Sequence, residues 1–146
     1  MNAIHCAVQL REVMVKLTKD WKLRKACLNE LYLNIGISEG EEYLGYIRTP
    51  SGMSPATFGE TVRQAIRLAE FAHGGSIWLT KRAIQKINRK ERESIRYGVS
   101  RHSQDREIFV RNSFARISDI MLHDPSESHR FADIEGLAVT EITDPF

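Results

Sequence analysis

Apolar residues recur at helical spacing near the start of the chain. Over residues 8–33 they alternate by three and four positions, interrupted at Arg24, and comprise Leu10, Met14, Leu17, Trp21, Leu28 and Leu31. This pattern predicts a helix with one apolar face, and it is too short to favour a coiled coil over packing on a core. Asp20 is a suitable N-cap that would divide the segment into two helices. Asn34 to Gly36 supply a stop signal.

A second helix is predicted to begin at Ser54, because serine as N-cap followed by Pro55 at the first helical position is a typical helix start. Its apolar stripe comprises Phe58, Val62, Ala65, Ile66 and Ala69. His73, Gly74 and Gly75 end this helix, with a histidine in the last turn and glycine just beyond it.

Three short segments have the composition of strands. They are Glu42–Arg48, the apolar Ser76–Leu79, and a final strand within residues 131–142, centred on Leu137–Thr140. Thr80 directly follows the second of these and is a suitable N-cap for a short basic helix, Lys81–Glu93.

Residues 93–100 and 106–112 are predicted to be the two strands of a β-hairpin. If His102 pairs with Asp105, Val99 faces Ile108 and Tyr97 faces Val110, so that apolar side chains meet. The same register places Arg96 opposite Arg111 and Arg101 opposite Arg106. Directly opposed like charges destabilise a sheet, unless an anion or a carboxylate lies between them.

The next segment allows two interpretations. Residues 104–122 fit a single helix, because Val110, Phe114, Ile117 and Met121 also form a helical stripe. We favour a strand to residue 112 followed by a helix from Ser113 to His123, since Ser113 can cap it and Asp124-Pro125 ends it.

These elements predict an α+β fold in a single domain that covers residues 1–146. A mostly antiparallel sheet of four or five strands is expected, with two or three helices packed on one face. The 146 residues are enough to bury a substantial core, and the 42% hydrophobic content argues against a disordered chain.

The net charge of +2 conceals an asymmetry along the chain. Residues 1–73 have a net charge of +1, residues 74–111 of +6, and residues 112–146 of −5. The basic segment 81–111 is therefore the expected location of any site for an anion, and the acidic section 112–146 is a candidate surface for a protein partner.

The basic segment leads to the first functional hypothesis, a nucleic-acid-binding protein that contacts RNA or DNA through a basic helix and hairpin. Clustered lysine and arginine side chains neutralise phosphates and bind nucleic acid in a salt-dependent way. The candidate residues are Lys81, Arg82, Lys86, Arg89, Lys90, Arg92, Arg96, Arg101, Arg106 and Arg111. A solvated surface paired with the chain's own acids is an equally good interpretation, because Glu91, Glu93 and Glu107 lie nearby in sequence.

A non-catalytic regulatory or protein-interaction module is the alternative hypothesis. Tyr43 and Tyr46 lie between glycines and are candidate anchors for an interface or for self-association into an oligomer. Packing of both tyrosines within a sheet is the competing interpretation.

A small enzyme is the second alternative, either a metal-independent ribonuclease or an enzyme with a small-molecule pocket between subunits. In the ribonuclease, His102 would be the general acid or base, and Arg101, Arg106 or Arg111 would stabilise the charged phosphorane. Tyr97 or Glu107 would complete the catalytic pair. This chemistry requires a titrating histidine near fixed positive charge.

Several chemistries are excluded by missing motifs. The chain has no phosphate-binding glycine loop of the P-loop or dinucleotide type, no zinc-protease motif and no nucleophile elbow, and we predict no cofactor. His123, Asp124, Glu127 and His129 are the densest group of potential ligands, but their spacing is more typical of a solvated loop, so no metal is predicted.

The sequence indicates a cytoplasmic protein. No run of about 18 apolar residues is present, which predicts no membrane span, and the first residues do not have the pattern of a signal peptide. Cys6 and Cys27 are expected to be buried free thiols.

Overall fold

In the computed structural model, which describes residues 1–25, 30–103, 106–122 and 129–145, the chain forms a mixed six-stranded sheet flanked by helices. The helices are α1 (Asn2–Lys25), α2 (Glu60–Phe71), α3 (Lys81–Gln85), α4 (Arg89–Glu93) and α5 (Ile117–Met121), with a 3-10 turn at His129–Phe131. The strands are β1 (Ile35–Ile37), β2 (Tyr43–Thr49), β3 (Gly52–Phe58), β4 (Ile77–Thr80), β5 (Ile95–Ser103), β6 (Arg106–Arg111), β7 (Ala115–Arg116) and β8 (Ala138–Pro145). The predicted α+β class is confirmed.

The main sheet has the strand order β1-β4-β8-β5-β6, and β7 pairs with β8 outside this path. Only β1 and β4 pair in parallel; the other pairs are antiparallel, as expected for most of the sheet. Strands β2 and β3 form a separate antiparallel ribbon. The sheet has more strands than the predicted four or five, because it includes β1, where the sequence predicts a helix stop, and β7, where it predicts part of a helix.

Helices cover both faces of the sheet rather than one. Ile77 and Leu79 of β4 belong to a core with the first half of α1, α3 and β5, whereas Trp78 between them belongs to a second core with α2 and α5. Successive residues of a strand point to opposite faces, so the two cores lie on opposite sides. The prediction of helices on one face is therefore wrong.

The first helix is displaced relative to its prediction. It begins at Asn2, and the residues that it buries are Ile4, Ala7 and Val8. Leu10, Leu17 and Trp21 of the predicted apolar face are between 43% and 48% exposed, and Leu31 follows the helix in an irregular segment. Cys6 is exposed, contrary to expectation, while Cys27 and Leu28 lie outside the described residues.

The helix α2 starts six residues later than predicted, at Glu60 rather than at Ser54. Ser54 and Pro55 lie in β3, where Pro55 pairs with Tyr46, and the helix starts only after Gly59. A two-stranded ribbon consists of edge strands alone, where proline is tolerated. The first turn of the helix is capped by a residue distant in sequence, since the Glu42 carboxylate accepts a hydrogen bond of 3.0 Å from the backbone N–H of Val62. The predicted end of this helix near His73 is close to the observed end at Phe71.

The predicted basic helix Lys81–Glu93 is two helices. Thr80 caps α3 as expected, accepting a hydrogen bond from Ala83, and Asn88 caps α4 by accepting one from Glu91. Strand β6 shows that residues 104–122 do not form one helix. Ser113 does not cap a helix either: its hydroxyl accepts a hydrogen bond from the Val99 amide, and α5 starts at Ile117.

The acidic end of the chain is used partly to hold the fold together. Asp133 forms ion pairs with Arg63 (2.6 Å) and Arg67 (2.8 Å) of α2, and these arginines hold the pKa of the Asp133 carboxyl below its usual value. The Arg67 guanidinium also lies 5.0 Å from the centre of the Phe131 ring. This network fastens the segment before β8 to α2.

Gly36 marks the closest approach between α2 and the sheet. A Cβ atom at this position would lie 2.1 Å from the carbonyl oxygen of Ala65 and 2.6 Å from the amide nitrogen of Ala69. Both neighbours are helix backbone, so they cannot move aside without displacing the helix.

We therefore expect Gly36→Ala to lower the free energy of unfolding by about 1–3 kcal/mol, the usual cost of overpacking a core. Thermal unfolding followed by circular dichroism measures the change. Gly136→Ala is the matched control, because nothing lies within 4 Å of its Cβ position and its φ is not positive. Equal stability of both variants would contradict the tight packing of α2 on β1.

Candidate functional site

Three of the six cations between Lys81 and Arg92 form ion pairs with the chain's own carboxylates. Glu39 lies 3.2 Å from the Arg82 guanidinium and 3.6 Å from the Lys86 ammonium, and Arg89 pairs with Glu93 at 2.9 Å. Lys90 is exposed and Arg92 is half-buried. Half of this part of the predicted nucleic-acid surface is thus engaged in ion pairs.

The hairpin of β5 and β6 exists, but its register differs from the predicted one by two residues. Val99 pairs with Val110, Arg101 with Ile108, and Gly98 with Arg111. Ser103 is opposite Arg106, and Arg96 pairs with Asp144 of β8. The predicted opposition of Arg96 to Arg111 and of Arg101 to Arg106 is therefore wrong, and the electrostatic argument for an anion between them no longer holds.

The proposed ribonuclease residues are not brought together as expected. Tyr97 is only 7% exposed and packs against Phe114 with ring centroids 5.8 Å apart. Arg111 is opposite Gly98, so it belongs to the other face of the hairpin from Tyr97. His102 pairs with Glu107 in the hairpin rather than with Asp105, which lies outside the described residues, as does the His102 side chain. Tyr97 is therefore a core residue and is not positioned as a partner in a catalytic pair.

Metal binding gains no support from the part of the chain that is described. Within it, no three histidine, cysteine, aspartate or glutamate residues are grouped to hold an ion. Of the loop residues considered from the sequence, His129 is in the 3-10 turn, and His123, Asp124 and Glu127 lie outside the described ranges.

The most exposed apolar surface lies on the ribbon of β2 and β3, which we call the arm. Tyr43 and Leu44 are 82% and 83% exposed, and Tyr46 is 71% exposed. Met53 and Phe58 on β3 are also exposed. Arg48 is the only charged residue between Tyr43 and Phe58. Both tyrosines do lie in a sheet, the two-stranded one of β2 and β3, but they are exposed on it, so the alternative that they pack within a sheet is wrong.

The second half of α1 presents a similar surface. Beyond Val8, the exposed apolar residues of this helix are Leu10, Val13, Val15, Leu17, Trp21 and Leu23. A helix of 24 residues is about 36 Å long, and only its beginning contributes to the core. Within the described residues, no helix combines the length and the apolar content needed to cross a bilayer. The cytoplasmic location stays a prediction.

A cleft of about 650 Å³ opens where the hairpin leaves the sheet. Strand β5 pairs with β8 only as far as Gly98, and the preceding residues of β8, Ala138 and Val139, pair with β7 instead. The space between the two branches is the cleft. Its charged lining residues are Lys81, Arg101, Glu107, Arg116, Asp119 and Glu141.

Glu141 is the most perturbed acid of this cleft. Burial raises the pKa of its carboxyl above the usual value, the negative charge of Glu107 raises it further, and Arg11 opposes both effects. Sequence analysis missed Glu141, Trp78 and Arg116 as site residues. A signal existed for Glu141: it follows Val139 by two positions, so strand alternation places an acid on a face that is otherwise apolar.

We expect Glu141→Gln to raise the melting temperature at neutral pH. A carboxyl whose folded-state pKa is raised destabilises the fold when it ionises, so the benefit appears as the pH rises above the usual value of 4.5 and vanishes below it. Thermal unfolding between pH 3.5 and 8 tests this, with Glu12→Gln as the exposed control that removes the same charge. A gain that persists below the unfolded-state pKa would contradict the assignment.

Comparison with known proteins gives no further assignment: a scan against protein-family models, a search of curated proteins and a search of solved structures all find no match.

Proposed function

We propose that this chain is a protein-association module that pairs with a second copy of itself through the arm. The observation that carries the proposal is the exposure of Tyr43, Leu44 and Tyr46 on a two-stranded ribbon. A two-stranded ribbon is at best marginally stable in water unless its apolar side chains are covered. Successive residues of a strand point to opposite faces, so Leu44 and Tyr46 lie on one face of the ribbon and Tyr43 on the other, and both faces expose apolar side chains.

The composition of the arm favours another copy over a charged partner. With one cation among its 16 residues, it has no charge pattern to recognise nucleic acid or an acidic protein. The exposed half of α1 supplies a second apolar surface on the same chain. In a twofold dimer the same surface of each copy meets its counterpart, so the arm of one chain covers the arm of the other. Aromatic side chains are the typical anchors of such interfaces.

Association is tested by sedimentation equilibrium of the full chain at micromolar concentration. We expect a species of twice the 16.8 kDa chain mass, and we expect Tyr43→Ser with Leu44→Ser to weaken dimerisation at least about tenfold. Both side chains are more than four-fifths exposed, so the double variant should keep its melting temperature as a monomer.

Leu122→Ser is the matched control, since Leu122 is 73% exposed but lies after α5, away from the arm. It should leave the dimer intact. A monomeric wild-type chain, or equal weakening by both variants, would overturn the proposal.

Nucleic-acid binding is kept as a second candidate function because of three arginines on the hairpin. Arg101, Arg106 and Arg111 are exposed, and none of them takes part in the ion pairs found among the described residues. Arg101 and Arg106 share one face of the hairpin, whereas Arg111 is on the other. They differ in this from Arg82, Lys86 and Arg89. The hairpin, rather than the basic helices, is therefore the part of segment 81–111 best suited to contact phosphates.

Fluorescence anisotropy with labelled RNA and duplex DNA over a range of salt concentrations tests this candidate. Replacing Arg101, Arg106 and Arg111 with alanine should reduce the slope of log affinity against log salt by about 2, the value for the two phosphate contacts of Arg101 and Arg106, which share a face of the hairpin. Replacing Arg82, Lys86 and Arg89 removes the same charge and should have a smaller effect. Absence of salt-dependent binding, or equal losses in the two triple variants, would exclude it.

A further inference from the structure

The cleft between the hairpin and β7 continues into a smaller apolar cavity. This second cavity, of about 360 Å³, shares Trp78, Ile120 and Glu141 with the cleft. Its other walls include Phe71 and Phe131. The combined groove therefore has a polar part near the hairpin and an apolar part against α2 and the 3-10 turn.

The apolar part is built from aromatic rings in edge-to-face contact. The centres of the Phe71 and Trp78 rings are 5.1 Å apart at 77°, and those of Phe71 and Phe131 are 5.5 Å apart at 87°. The Trp78 indole is fixed because its N–H donates a hydrogen bond of 3.0 Å to the Ser76 hydroxyl. Rigid edge-to-face walls suit a planar aromatic body better than a flexible chain.

The polar part carries cations on separate walls. Arg101 comes from β5, Arg116 from β7, and Lys81 from the start of α3, with its ammonium 5.6 Å from the Phe114 ring centre. None of the three takes part in the ion pairs that the described residues form. Glu107, Asp119 and Glu141 also line this part, and none of them forms an ion pair with these cations.

We propose that this groove binds a small aromatic anion, with its ring body in the apolar cavity against Trp78 and Phe71 and its anionic group in the cleft beside Arg101 and Arg116. A pocket with an apolar wall and a few convergent polar groups is the usual form of a small-molecule site. Two guanidinium groups that line one cleft from different strands are suited to a carboxylate, sulfonate or phosphate. The site is separate from the arm, so it does not depend on the proposed association.

Tryptophan fluorescence provides a direct test, because the chain has only two tryptophans, Trp21 on α1 and Trp78 in the groove. In a Trp21→Phe background, titration with 1-anilinonaphthalene-8-sulfonate should quench Trp78 in a saturable way. The uncharged analogue N-phenyl-1-naphthylamine should bind at least about tenfold more weakly, because it cannot pair with the guanidinium groups.

Variants in the same background assign the site. Arg101→Ala and Arg116→Ala should each weaken binding of the sulfonate about tenfold or more, whereas Arg106→Ala, on the same hairpin but outside the lining, should have little effect. The arm variant Tyr43→Ser with Leu44→Ser should bind the probe as the parent does. Unsaturable quenching, equal affinity for the neutral analogue, or loss of binding in the arm variant alone would overturn the proposal.

Discussion

One edge of β8 pairs with two strands, β5 and β7, and the position of the cleft depends on where the pairing changes from one to the other. Residues of β8 from Glu141 onward pair with β5, and Ala138 and Val139 pair with β7. The fully buried Thr140 lies at the junction, with its hydroxyl 3.1 Å from the Gly98 carbonyl oxygen and 3.0 Å from that of Ser113. A buried hydroxyl needs such partners, because leaving it unpaired costs about 1–3 kcal/mol.

The junction explains why polar groups gather where they do. Beyond Gly98, β5 pairs with β6 but no longer with β8. On the side of β8, the hairpin therefore borders the cleft instead of a neighbouring strand. The amide of Asn112 bonds to the Tyr97 carbonyl at 2.8 Å, and Asn112 has a left-handed φ of 54°. This turn brings the chain from β6 back to β7, and Arg116 thereby faces the space that Arg101 borders.

Local patterns in the sequence predicted the elements that depend on local interactions. The strand at Ile77–Thr80, the cap at Thr80 and the hairpin of β5 and β6 all follow from nearest-neighbour chemistry. The hairpin register was wrong by two residues, yet an even shift keeps each side chain on its face, so Tyr97 and Val99 are buried as the predicted apolar pairing requires.

The features that sequence analysis missed are those that depend on distant residues. The start of α2 is set by Glu42, 20 positions before Val62, and not by the local signal at Ser54. Gly36 resembles a helix stop, but its lack of a side chain allows α2 to pack on β1. Predicting the cleft would have required knowing which strands pair with β8, and no periodicity in the sequence carries that information.

The distribution of charge can now be assigned to particular contacts. Asp133 of the acidic section pairs with Arg63 and Arg67 of α2, so this acid does not cover the basic segment. Within the basic segment, Arg82 and Lys86 are held by Glu39, which precedes the arm in sequence. The cations that take part in no ion pair among the described residues include Arg101, Arg106 and Arg111 of the hairpin and Lys81, Arg101 and Arg116 of the cleft. Arg101 belongs to both groups, so an anion bound in the cleft and a phosphate backbone on the hairpin would compete for its guanidinium.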